Sequence, residues 1–370
     1  MQAFDVAIVG GGVVGAACAR AAALRGLQVG VFEPGPDPAA ASPASAGMLA
    51  AQVEPVDQGM LGLSVRGRDL YERLAPLLQD STGIDIGFWR EGIACVAFSE
   101  AAADDLKEAV ARQRQAGLRC DWLDPAEVQE RWPGAAPAPD CHGALFAPED
   151  GAVDAQALTR ALLADARRLG AALVAERVRE VARDGAKATG VTTDRGTSSA
   201  GHVVIAAGAW SPLLAGLPHP LPVEPVRGQM AATPWPRGTP AVILFYEHCY
   251  VLPRGAQALL GSTMEHAGFE CRVTNEGLAQ LFRSAVRLLP ALAVQPVERM
   301  WAGLRPVTPD GRPIIGPDPE VQGLWYATGH GRLGVTLAAL TGEIIGDFLA
   351  TERTDVDVAA LRVDRPMAHG

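Results

Sequence analysis

Apolar positions along this chain switch between two spacings: short continuous runs that predict buried strands, and three-to-four-residue repeats that predict helices. The run over residues 4–9 (Phe4, Asp5, Val6, Ala7, Ile8, Val9) predicts a buried strand. It feeds Gly10-Gly11-Gly12-Val13-Val14-Gly15, and the Ala-rich stretch over 16–25 predicts a helix. A second strand, 29–32, ends at Glu33. Helical spacing returns over 61–78, 101–116, 275–289 and 334–349, and Asp154 is placed to cap a helix reaching about residue 169. Strands are predicted over 91–98, 172–176, 190–193, 202–205, 297–304 and 324–327, with further strands of a different sheet in 220–233 and 241–263. Residues 34–46, rich in Pro, Ala and Ser, predict a loop, and the breaker-rich stretch 132–139 predicts a crossing between domains.

The glycines after the first strand carry chemistry. Gly10, Gly12 and Gly15 stand at the G-x-G-x-x-G spacing. The first allows a tight turn, the second a close approach of backbone to a diphosphate, and the third close packing of helix on strand. A helix starting here aims free N–H groups and its positive dipole end at the phosphates. Glu33 follows Gly15 by 18 residues, where an acid accepts hydrogen bonds from an adenosine ribose. Strand, turn, helix, strand and acid in register predict a dinucleotide site; a purely structural glycine turn is the plainer reading. A later strand, 202–205, runs into Ala206-Ala207-Gly208-Ala209-Trp210, small residues suited to a second close approach to a nucleotide. Nucleotide-type strands thus lie at the start, near 175–210 and near 324–349, so a nucleotide domain interrupted by a second domain is expected.

Bulk properties narrow the partners. A chain of 370 residues suits about two domains. A formal net charge of −10 with no basic stripe argues against nucleic acid. The chain starts directly into a strand, without basic and apolar leader regions, and Arg20, Arg25 and many glycines interrupt its longest apolar candidate. No secretion and no membrane span are therefore expected. Six cysteines (Cys18, Cys95, Cys120, Cys141, Cys249, Cys271) show no metal-ligand spacing. They read as reduced thiols in a cytoplasmic protein, and no metal is expected.

On these segments the chain resembles the D-amino acid oxidase-like flavoproteins, most closely the glycine oxidases of thiamin biosynthesis. The resemblance spans nearly the full length. It rests on Gly10 to Gly15 with Glu33, on Ser45-Ala46-Gly47-Met48-Leu49, and on Val204-Ile205-Ala206-Ala207-Gly208-Ala209-Trp210-Ser211. More specific are His248-Cys249-Tyr250-Val251-Leu252-Pro253-Arg254, Trp301-Ala302-Gly303-Leu304-Arg305-Pro306 and Gly329-His330-Gly331-Arg332-Leu333-Gly334. The resemblance implies FAD, where the glycines alone leave FAD and NAD open. It implies an α/β fold: a Rossmann-type FAD-binding domain (1–86, 143–220 and 303–370) interrupted by an α+β substrate domain (87–142 and 221–302) with a mixed, largely antiparallel sheet. It implies oxidation of glycine, sarcosine or a small D-amino acid to an imine that hydrolyses, with oxygen as acceptor. FAD contacts would fall on Gly10, Gly12, Val13, Val14, Gly15, Glu33, Ser42, Ala46, Gly47, Met48, Val178 and Gly208, and on the final turn His330, Gly331, Arg332, Leu333, Gly334, Val335 and Thr336. Arg305 and Arg332 match positions that hold the substrate carboxylate, Tyr250 matches a tyrosine of the same pocket, and Met48 and Met264 would line it.

Residue chemistry agrees with that assignment. Hydride transfer to a flavin needs positioning and electrostatics from the protein, not a paired acid and base. A carboxylate in an apolar pocket calls for arginine, whose planar fork binds both oxygens. Plainer readings remain: a structural ion pair for either arginine, a core tyrosine for Tyr250, a surface role for His248, packing for Trp301. Relatives of the sarcosine-oxidase type attach flavin through a cysteine near Gly303-Leu304-Arg305; no cysteine follows Cys271 here, so FAD is expected to be non-covalent. No lysine follows Lys187, so the lysine those relatives use for oxygen chemistry has no counterpart. The competing functions are a D-amino acid or opine-type dehydrogenase passing electrons to a quinone or partner subunit, and an NAD-dependent dehydrogenase. A homo-oligomer is expected.

Overall fold

A computed structural model describes residues 3–54, 58–137 and 140–367. Two eight-stranded sheets carry the fold. In the first, the strand order is Ile314–Pro317, Leu324–Thr328, Gly196–Ile205, Ala3–Val9, Val29–Phe32, Ala172–Val174. Its inner pairs are parallel and Ile314–Pro317 is an antiparallel edge. A hairpin, Val178–Asp184 with Lys187–Thr193, extends it from Gly196–Ile205. The apolar runs are continuous because both faces are covered. Val6, Ile8, Val29, Val31 and Val204 pack under helices Val13–Leu24 and Gly334–Thr351. Ala7, Val9, Val203 and Ile205 face the hairpin side.

The second sheet runs Arg299–Val307, Glu224–Pro234, Gln257–Gly261, Cys249–Arg254, Ile243–Tyr246, Ile93–Ala97, Gly143–Ala147, Asp121–Leu123. All its pairs are antiparallel except Ile243–Tyr246 with Ile93–Ala97. The expected boundaries at 143 and 303 need correction. Gly143–Ala147 pairs with Ile93–Ala97, and Arg299–Val307 pairs along its length with Glu224–Pro234, so both strands belong to the second sheet. The chain returns to the nucleotide side only after Ala147 and Val307, because a strand goes with the sheet that satisfies its backbone.

The helix predicted from Asp154 is Ala155–Arg168, with the Asp154 side chain accepting from Ala157 N at 2.8 Å. The predicted helix over 61–78 is longer, Gln58–Thr82. A helix over Pro125–Arg131 was not anticipated, although Asp124 and Glu127 form a capping box there. Of the breaker-rich segment, residues 138 and 139 lie outside the described residues. The C-terminal helix corrects the expectation that no apolar run is long enough to cross a membrane: residues 331–351 pass that test by length and hydropathy. Its apolar surface is spent inside the fold, with 72% of the tested window buried. All six cysteines are free thiols, five of them buried.

The 34–46 segment is not the plain loop expected. It contains a single helical turn, Ala41–Ala44, and it ties the two sheets together. Leu304 N donates to Ala39 O at 2.8 Å, and Trp301 Nε1 donates to Ala44 O at 2.9 Å. The cleft lies between these layers.

Candidate active site

One cleft runs from the glycine turn to the inner face of the second sheet. At its nucleotide end, Gly10 has φ +108, and a Cβ there would sit 2.5 Å from Ala206 O. Only glycine suits both the left-handed backbone and the contact. Gly15 packs behind the turn, where a Cβ would lie 2.0 Å from Gly10 O, so it shapes the cleft without lining it. The helix starting at Val13 leaves first-turn N–H groups without helical acceptors. Val13 N finds Ser42 Oγ at 3.0 Å, which explains how a residue of the 34–46 segment reaches the phosphate region. The Glu33 carboxylate closes this end, accepting from Gly11 N at 2.8 Å.

Of the other expected cofactor positions, Gly12, Val14, Met48, Val178, Gly208, His330, Gly331, Gly334, Val335 and Thr336 line the cleft. Ala46, Gly47 and Leu333 do not. Ala46 is buried with its carbonyl held by Arg254 Nη2 at 2.8 Å, and Gly47 packs against Val153 O. Leu333 turns into the core beside Val6 and Ile8. His330 is buried, with Nε2 3.0 Å from Thr341 Oγ1, and burial pushes its pKa down to about 3. The imidazole is therefore neutral at working pH.

At the other end stand Arg305, Tyr250 and Arg332, brought together from two strands and the turn before the last helix. Arg305 lies across from Val226 in the sheet, and its guanidinium spreads over Gly228. A Cβ at Gly228 would come within 2.3 Å of both terminal nitrogens, so the bare backbone makes room for the fork. Arg305 Nη1 donates to Thr263 O at 3.1 Å and Nη2 to Ser262 Oγ. No carboxylate within ion-pair distance of it is found among the described residues. Burial first, and the like charge of Arg332 second, push its pKa down to about 10. An unpaired buried cation of this kind is stabilised by an anion.

Arg332 is different. Its Nε and Nη2 form a two-pronged ion pair with Glu54, at 2.5 and 2.8 Å, with both side chains largely buried. Burial opposes its charge, but Glu54 outweighs burial and raises its pKa. The plainer reading of Arg332, a structural ion pair, thus holds for two of its nitrogens. The third, Nη1, is buried and has no partner. Tyr250 is buried, its hydroxyl meeting only the thioether of Met230 at 3.4 Å, and burial lifts its pKa to about 12. The phenol stays protonated, a donor with only a weak acceptor.

Met264 is a correction. It is 37% exposed and does not line the cleft. The flanking Thr263 and Glu265 side chains both turn inward, to Gln229 N and Gln229 Nε2, and alternation turns the side chain between them outward. His248 is exposed, as its plainer reading has it. Sequence reasoning missed Glu54, Met230, Ser262 and Trp210, all on the cleft wall. Only Trp210, next to the small-residue run, carried any local signal; the Glu54–Arg332 pair joins residues 278 positions apart.

The residues present fit a flavin dinucleotide: a glycine cradle no Cβ can enter, a helix N-terminus behind it, an acid at the far end, and an unpartnered buried Nη1 at the near end. Comparison with known proteins agrees. The family described as "DAO: FAD dependent oxidoreductase" matches residues 5–348. A glycine oxidase of Geobacillus kaustophilus is 36% identical over 366 residues, covering 98% of this chain and 97% of the relative. A bifunctional ThiO/ThiG protein of Trichormus variabilis is 36% identical over 95% of this chain, which spans 53% of that longer protein. The crystal structure of the Geobacillus kaustophilus glycine oxidase superposes with a TM-score of 0.94 at 35% identity, covering all of both chains. The chain is a member of the family of FAD-dependent oxidoreductases of the D-amino acid oxidase type.

Proposed function

We propose that this enzyme oxidatively deaminates glycine, sarcosine or a small D-amino acid, with oxygen as electron acceptor. The observation that carries the reading is Arg305: a largely buried guanidinium, facing the cleft, with neutral partners only. A substrate carboxylate supplies the missing anion. Two charge-assisted hydrogen bonds to such a group contribute about 1.5–3 kcal/mol each. Arg332 Nη1 adds a third donor, and the neutral Tyr250 hydroxyl a fourth.

FAD supplies the acceptor for the hydride that leaves the substrate Cα, the substrate becoming an imine that water hydrolyses. The protein's own share is orientation. Arg305 anchors one end of the substrate, and Met48, Met230 and Tyr250 wall off the space around it. Glu54 cancels the charge of Arg332, so the pocket holds one uncompensated positive charge and suits a single carboxylate. The turn at Gly331 and the helix behind it direct a positive dipole end at the cleft, where it stabilises negative charge developing on a bound ring.

An aerobic screen of glycine, sarcosine, D-alanine and D-proline with peroxide detection tests this reading. Stoichiometric peroxide with at least one of them is the expected result. Turnover without peroxide, sustained only by an added quinone, would replace oxygen by another acceptor and favour the dehydrogenase.

A further inference from the structure

Arg305 is held by two atoms of one short segment, the Thr263 carbonyl and the Ser262 hydroxyl. That segment is not fixed by regular sheet pairing, since the strand before it ends at Gly261. Backbone bonds from Ser262 N to His248 O at 3.2 Å and from Thr263 N to Gln229 O at 3.4 Å hold its main chain, and a polar cluster behind it ties its side chains. Glu265 Oε1 accepts from Gln229 Nε2 at 2.8 Å and from the Thr263 hydroxyl. Glu265 Oε2 accepts from Arg227 Nη2, and from Arg227 Nε at 3.2 Å. The Thr263 hydroxyl also accepts from Gln229 N at 2.9 Å, so both sides of that side chain are tied. Gln229 is fully buried and is itself clamped by Thr274, whose backbone N donates to its Oε1 at 2.8 Å. Backbone bonds between Arg227 and Glu265, at 2.9 and 3.0 Å, close the ring.

We infer that Glu265 is a positioning residue for substrate binding: through Thr263 it sets the carbonyl and hydroxyl that aim the Arg305 fork into the cleft. This rests on the reading of Arg305 as the carboxylate anchor. Glu265 does not line the cleft, so it acts only through this relay. Its side chain is one-quarter exposed but its partner Arg227 is buried, so Thr263→Val, which removes no charge, is the variant that separates the relay from folding. Glutamine cannot serve both ends of this cluster: its one oxygen is drawn to the two Arg227 donors, which leaves the amide nitrogen, unable to accept, facing the Thr263 hydroxyl and Gln229 Nε2.

The test uses the FAD-loaded enzyme with acetate as the probe, its binding followed by perturbation of the flavin absorbance, alongside glycine kinetics. Glu265→Gln is expected to weaken acetate binding and raise KM about tenfold, the lower end of one charge-assisted bond, with kcat within about twofold. Thr263→Val, which removes the relay hydroxyl but no charge, is expected to do the same. Acetate affinity unchanged in both Glu265→Gln and Thr263→Val, while Arg305→Met abolishes binding, would overturn the relay and leave the anchor standing. Acetate binding that survives Arg305→Met would overturn the anchor itself, and the relay with it.

Discussion

Replacing Arg305 by methionine separates binding from folding in one variant. The guanidinium is largely buried with neutral partners, and its pKa is pushed down to about 10. At 1.36 kcal/mol per unit, that corresponds to about 3 kcal/mol of disfavour for the charged form in the ligand-free fold. Methionine fills a similar volume with no charge to desolvate. The lost hydrogen bonds to Thr263 and Ser262 offset part of the relief, leaving stability unchanged or raised by about 1 kcal/mol. Substrate binding suffers in the opposite sense: losing two charge-assisted bonds costs about 3–6 kcal/mol, or at least about 100-fold in kcat/KM. Thermal unfolding and steady-state kinetics on the same preparation decide it. A variant that melts several degrees lower while keeping its kcat/KM for glycine would show that Arg305 is a structural cation, and the reasoning would fall.

Further outcomes follow from the same geometry. Tyr250→Phe removes a donor whose present partner is only the Met230 thioether, so kcat/KM should fall about tenfold with no loss of thermal stability; a sharp drop in Tm would mark the hydroxyl as structural instead. Glu54→Gln leaves Arg332 as a buried cation without its anion, and denaturant titration should show a loss of about 3 kcal/mol. Asp165 is almost fully buried between Arg20 and Arg168. Burial opposes its charge, but the neighbouring donors, Arg20 Nε at 2.6 Å and Arg168 Nε at 2.9 Å among them, outweigh it and lower the carboxyl pKa. Its contribution is present above the unfolded value of about 3.9 and disappears as pH falls through the folded one. Asp165→Asn should therefore be less stable than the parent at pH 7, with the gap closing below about pH 4; a gap constant with pH would refute the assignment.

Local signals carried much of the fold. The first strand, the glycine turn and Glu33 could be read because each is specified by its neighbours in sequence, and Asp154 announced its helix by side-chain chemistry alone. The boundaries at 143 and 303 could not, because the sheet a strand joins depends on a partner far along the chain: Gly143–Ala147 pairs with Ile93–Ala97, and Arg299–Val307 with Glu224–Pro234. The long apolar helix at the C-terminus illustrates the same limit. Its composition alone does not say whether lipid or protein covers it, whereas its packing does.

The site divides in the same way. Arg305 and Tyr250 lie in segments specific enough to be identified, and both reach the cleft. Arg332 was identified equally well, yet its charge is already matched by Glu54, and nothing near either residue signals that pairing. Met264 failed for a geometric reason: the side chains on either side of it turn inward, and alternation sends the intervening one out. Glu265, Thr263 and Gln229 make a cluster whose members are unremarkable one at a time. Only their convergence behind Arg305 gives them meaning.

Anaerobic mixing of the purified, FAD-loaded enzyme with glycine, sarcosine, D-alanine and D-proline bears most directly on the account. The visible flavin absorbance should bleach with at least one of these amino acids, and the same amino acid should leave Arg305→Met oxidised. A flavin that stays oxidised with all four, or that bleaches equally fast in Arg305→Met, would contradict it.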